Sequence, residues 1–134
     1  MERPASETAL AGLTLFSAAL HFGLETWYHM VWGQALTSLL VDYIANALML
    51  LGAWASLRAR PSGSATGLLA AAWGFTFCLA WMAGFLRLEG AKAGMDPANG
   101  EAAFVMPILL ASVGLVAAIF GWALWLAWRQ TRSR

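Results

Sequence analysis

Three side chains able to bind metal or move protons recur at four-residue spacing inside an apolar stretch: His21, Glu25 and His29. A second apolar stretch adds Asp42 and Asn46. Ionisable groups at membrane depth are costly unless paired, hydrated or metal-bound, so they mark a functional site by default. On a helix, residues four apart are displaced by about 40° and rise about 6 Å. The first three therefore form a gently turning ladder about 12 Å long. Thr14, Ser17 and Tyr28 fall close to the same face, and Ser38, Asp42 and Asn46 repeat the spacing with Tyr43 beside Asp42. Such faces belong inside a bundle or on a watery cavity, not against lipid.

Counting inward from the helix ends places Asp42 at about the depth of Glu25 and His29, with Asn46 nearer His21. The expected centre is Glu25, His29 and Asp42, floored by His21 and Asn46. As a metal site, Glu25 and Asp42 would supply carboxylate oxygens and His29 and His21 imidazole nitrogens, a set suited to divalent Zn, Mn or Fe. His21 and His29 stand too far apart to share one ion easily, which favours three ligands plus water, or a second ion. As a proton site, two carboxylates sharing a low-dielectric pocket hold a proton between them, with histidine as relay. The same groups, Glu25, Asp42 and His29, could then perform acid/base catalysis on a lipophilic substrate, with Tyr43, Tyr28 and Asn46 orienting it. Hydrogen bonding that merely fixes helix packing is the plainest alternative.

The elements that must hold these residues follow from composition. Of 134 residues, 60% are hydrophobic and 11% charged, too few charges to cover a soluble domain. Apolar runs over about 9–32, 36–57, 66–86 and 104–128 each reach the roughly 20 residues that span a bilayer. The expectation is an all-α integral membrane protein in which residues 1–134 form a single antiparallel four-helix transmembrane bundle. Arg3, Arg58, Arg60, Arg129, Arg132 and Arg134 share one side, against Arg87 and Lys92 on the other. That asymmetry predicts cytoplasmic termini in a plasma or inner membrane. The first run is too long, and its start too acidic, for a cleaved signal peptide.

Gly33-Gln34-Ala35 is a very short connection, which makes the first two helices antiparallel neighbours. Arg60-Pro61-Ser62-Gly63-Ser64 is a turn and breaker cluster. The long outer connection, from Arg87 to about Ala103, is expected as a solvated loop or a cover over the site. Arg87 is placed in the headgroup zone, within reach of an anionic substrate. Pro107 is expected in the first turn of the fourth helix.

Trp27, Trp32 and Trp81 read as one interfacial belt and Trp54, Trp122, Trp125 and Trp128 as the other, leaving Trp73 for the interior. Ala70/Gly74, Ala80/Gly84, Gly114/Ala118 and Ala117/Gly121 permit close packing within the bundle or in a homo-oligomer. The single cysteine, Cys78, rules out an intrachain disulfide and is expected as a small core residue. Ser112 is expected to bond its own helix backbone. No nucleotide-binding loop or haem-attachment motif is present, and no basic patch suggests nucleic acid. The functional expectation is a small membrane protein binding a divalent metal or proton for transport or sensing. A membrane enzyme for a lipid-like or isoprenoid substrate and a structural subunit are the alternatives.

Overall fold

A computed structural model describes residues 5–58, 63–92 and 101–132, which form four helices and the short 33–35 connection. They are α1 (Ala5–Trp32), α2 (Leu36–Arg58), α3 (Gly63–Lys92) and α4 (Glu101–Arg132). All four are long and apolar enough to cross a membrane. In lipid a helix satisfies its backbone internally, which is why these runs need no other partner for their peptide groups.

Each helix packs chiefly on the next in sequence, and α1 touches α4 only lightly. The bundle thus has two ends, one carrying the termini and one carrying the Gly33–Ala35 connection. At the connection, Gly33 has φ of 71° and its N–H donates to the His29 carbonyl at 3.0 Å. This left-handed stop is cheap only for glycine. The Ala35 carbonyl then receives the N–H groups of Ser38 and Leu39, starting α2 at once.

The core lies towards the termini end. Leu10, Ala11, Ala18, Met49, Ala53, Leu69, Ala72, Trp73 and Ala123 are almost wholly buried there. Trp73 donates from Nε1 to Thr14 Oγ1 at 2.9 Å, and the Thr14 hydroxyl donates to the Leu10 carbonyl at 2.7 Å. A buried indole N–H needs an acceptor, and this pair ties α3 to α1 through the interior. Every buried residue of α1 lies at or before Ala18. Beyond that point the connection half is more open.

Several sequence expectations change in three dimensions. Pro107 lies inside α4 because the helix begins at Glu101, so the carbonyl four residues earlier loses its usual N–H partner. Cys78 faces outward and is exposed; it is not a core residue. Helix α3 continues to Lys92 and α4 starts at Glu101, so Arg87, Glu89 and Glu101 are helical where an outer loop was expected. Asp96, Pro97, Asn99 and Gly100 lie outside the described residues, as do Arg3, Arg60, Pro61, Ser62 and Arg134.

Trp73 is interior, at 1% exposure, while Trp27, Trp54, Trp81, Trp125 and Trp128 face outward. Trp122 packs partly against the core. The Ser112 hydroxyl donates to the Leu109 carbonyl at 2.8 Å. Small size is demanded at Gly74, where a Cβ would lie 3.0 Å from the Phe120 ring, and at Gly52, where it would lie 3.3 Å from the Leu69 backbone.

Candidate metal centre

The α1 stripe and the start of α2 meet because the connection between them is only three residues long. Asp42 is brought opposite Glu25, and Asn46, one turn further along α2, opposite His21. His21, Glu25 and Asp42 each offer one ligand atom, and the three atoms lie within 4.8 Å of one another. His21 Nε2 is 3.6 Å from Glu25 Oε1, one turn apart on α1. Two ligands about 2.1 Å from an ion at the tetrahedral angle sit about 3.4 Å apart. The His21–Glu25 pair is already close to that spacing, and closing the longest separation takes at most about 1.4 Å of side-chain movement. The cluster could therefore coordinate a metal ion. Its residues are half-buried, His21 and Glu25 having side-chain exposures of 25% and 24%.

Each end of the cluster is steadied by an amide. His21 Nδ1 lies 3.2 Å from Asn46 Oδ1. The carbonyl oxygen can only accept, so Nδ1 carries the proton and Nε2 is the nitrogen presented to Glu25. This is the usual way a protein fixes the tautomer and ring angle of a metal-binding histidine. Gln34 Nε2 donates to Asp42 Oδ2 at 2.9 Å, orienting the carboxylate from the connection side. Asn46 is 95% buried, being 5% exposed. Its Nδ2 and Gln34 Oε1 are buried without a hydrogen-bond partner among the described residues. Unpaired polar atoms of this kind point to a site built for more than packing.

The structure distributes the remaining expected site residues around this group. His29 does not join the carboxylates: its Nδ1–H donates to the Gln34 backbone carbonyl at 2.8 Å, locking the connection. The expected centre thus moves one turn deeper, with His21 taking the place assigned to His29. The reason is that α1 stops at Trp32, so His29 lies in the last turn, where a free main-chain carbonyl competes for it. Tyr43 turns to α1, its hydroxyl 2.9 Å from Thr26 Oγ1 and its ring stacked 5.0 Å from Phe22. Because Thr26 already donates to the Phe22 carbonyl at 2.7 Å, Tyr43 is the donor. Tyr28 accepts from Arg87 Nη2 at 2.9 Å, with the guanidinium 5.5 Å from the Tyr28 ring centre. Arg87 is thereby held beside α1 near the site, and Glu25 feels both its charge and that of Asp42.

Two polar residues escaped the sequence reading. Gln34 was legible only as part of a turn, because its reach back to Asp42 depends on the path of the connection. Glu7 is a carboxylate only 3% exposed at the termini end. Its signal was present: Glu7, Thr14, His21 and Tyr28 recur at seven-residue intervals, keeping one face of α1. At the same end Thr66 donates to Gln130 Oε1 at 2.8 Å and Ser56 to the Ala65 carbonyl at 3.3 Å.

No protein-family model, no curated protein and no solved structure matches the chain, so no relative lends the centre a function.

Proposed function

We propose that this is a small integral membrane protein that binds a divalent metal ion, Zn, Mn or Fe, through His21 Nε2, Glu25 and Asp42, for transport or sensing. One observation carries the reading: three ligand atoms converge within 4.8 Å while amides fix the far sides of two of them. Two carboxylates this close in apolar surroundings call for a cation, and a divalent ion cancels both charges. A single proton shared between them is the lesser form of the same compensation.

His21 and Glu25 keep about a quarter of their side-chain surface exposed, whereas the termini side of the site is filled by the buried Ala18, Met49, Thr14 and Trp73, which favours access from the connection side. With termini in the cytoplasm, the centre takes its ion from the outer side of a plasma or inner membrane. Passage across would require the Trp73 plug to part, so capture or sensing fits this conformation, and transport fits it as one state of a cycle. A path through one four-helix copy is narrow, which makes a homo-oligomer the form suited to transport.

The test is metal content by mass spectrometry of gently purified protein, before and after reloading with physiological ions. Near-stoichiometric metal in the parent, lost in Glu25→Gln and Asp42→Asn with helicity unchanged, is the expected result. Absence of metal after reloading would overturn the metal reading and leave the proton form.

A further inference from the structure

We infer that the outward face of α4 is a binding site for one anionic phospholipid of the leaflet on the termini side. Its phosphate is gripped by Arg129 and Arg132, and an acyl chain lies over Gly121, Ala118 and Gly114; nothing in this depends on the metal centre. The headgroup end repeats one unit twice. The Arg129 guanidinium carbon lies over the Trp125 ring, 5.5 Å from its centre, and that of Arg132 over Trp128 at 4.2 Å. All four residues are exposed. At 100° per residue they fall within an arc of about 100° on α4, with the two arginines about one turn apart.

Charge asks for an anion. Two like charges a turn apart on a helix repel, and among the described residues neither guanidinium meets a carboxylate. The C-terminal end of α4 offers only about half a negative charge against the two positive ones. The ring faces hold the guanidiniums but leave the N–H groups along their edges, which suit phosphate oxygens. Depth selects a lipid. The spanning part of α4, Val105–Arg132, has 28 residues, a length of about 40 Å, some 10 Å more than the hydrocarbon core. Centred on the bilayer, it puts Trp125 and Trp128 just inside the boundary and Arg132 about 5 Å beyond it, among headgroup phosphates.

The same face continues as a trough. Gly114, Ala118 and Gly121 are exposed and lie within about 40° of Trp125 around the helix. A Cβ at Gly114 or Gly121 would meet nothing within 4 Å, so neither glycine serves packing inside the bundle. The exposed Leu115 and Leu124 flank them, about 80° and 100° to either side. Beneath an interfacial headgroup, a trough of small residues between larger ones is shaped for an acyl chain. Such a stripe also suits another helix. A second copy docked in parallel through it would bring four arginines together, so the charge that favours an anionic lipid opposes that dimer. Helix α2 supplies a comparison. Arg58 lies over Trp54 at 5.1 Å, but it is a single cation, and the exposed Leu50 and Leu51 fill the turn below the ring.

The experiment is native mass spectrometry of the delipidated full-length protein in a neutral detergent, titrated with dioleoyl phosphatidic acid or dioleoyl phosphatidylcholine. One phosphatidic acid should bind about tenfold more tightly than phosphatidylcholine, as expected for hydrogen bonds between charged groups. The double variant Arg129→Gln, Arg132→Gln should lose that preference, whereas Arg58→Gln should keep it. Gly121→Leu places its side chain in open space, so it should keep the parent's helicity yet weaken phosphatidic acid severalfold with both arginines present. An excess of inorganic phosphate should fail to displace the lipid, since it lacks the chain. Glu25→Gln should bind the lipid as the parent does, which keeps this test separate from that of the metal centre. Equal binding of the two lipids, a preference that survives loss of both arginines, binding untouched by Gly121→Leu, or displacement by phosphate would overturn the inference. A dimer that Gly121→Leu breaks and that takes up no phosphatidic acid would overturn it too, giving this face to a second copy.

Discussion

Replacing Asn46 by leucine separates a metal-orienting amide from a packing amide, because the two roles predict opposite signs. Asn46 Oδ1 receives His21 Nδ1–H at 3.2 Å, and Asn46 Nδ2 is buried without a partner. Leucine of similar size removes both. Loss of the hydrogen bond costs the metal-free protein about 0.5–1.5 kcal/mol, while deleting an unsatisfied buried donor returns about 1–3 kcal/mol. The metal-free Asn46→Leu protein should therefore fall between about 0.5 kcal/mol less stable and about 2.5 kcal/mol more stable than the parent. Metal affinity should move the other way. Partners that orient a ligating histidine are typically worth 10–100-fold, so binding should weaken by about 1.4–2.7 kcal/mol. Competition against a chromogenic chelator measures the affinity, and detergent-denaturant unfolding followed by tryptophan fluorescence measures the stability. In a His21→Ala background the second substitution should change affinity no further, since the ring it orients is gone. An Asn46→Leu protein that binds metal within threefold of the parent would refute the orienting role. One that loses more than about 2 kcal/mol of stability would show that the amide is a packing bond after all.

Three other outcomes follow from the same geometry. Gln34→Ala frees Asp42 Oδ2 from its donor and should weaken metal binding about tenfold, measured by the same competition. His29→Gln should leave metal stoichiometry unchanged while removing the tie to the Gln34 carbonyl, a loss of about 0.5–1.5 kcal/mol in unfolding; loss of metal would put His29 back in the centre. Gly74→Val sets a branched Cβ 3.0 Å from the Phe120 ring, which should cost about 1–3 kcal/mol of stability and leave metal affinity untouched.

Much of this protein is written in its order of residues. Four apolar runs of bilayer length with few charges leave helices crossing a membrane as the solution for the backbone, since lipid offers peptide groups no other partner. Glycine at position 33 and the brevity of the connection made α1 and α2 antiparallel neighbours. Four-residue spacing then put His21 and Glu25 on one face of α1 and Asp42 and Asn46 on one face of α2. Periodicity fixes which residues share a face, but it does not fix how two faces are rotated and slid against each other. That register was left to the tertiary structure. It chose His21 over His29, because a helix ending at Trp32 gives His29 a main-chain carbonyl to bind before it can reach the carboxylates. The same register folded Gln34 back onto Asp42, pointed Tyr43 at Thr26, turned Cys78 outward and buried Glu7. It also brought Arg87 from α3 onto Tyr28. Spacing along one chain cannot encode such meetings, because they depend on the angles and depths at which separate helices pack. Those are set by the fit of many side chains at once, from the Trp73–Thr14 bond to the contact of Phe120 with the bare face of Gly74.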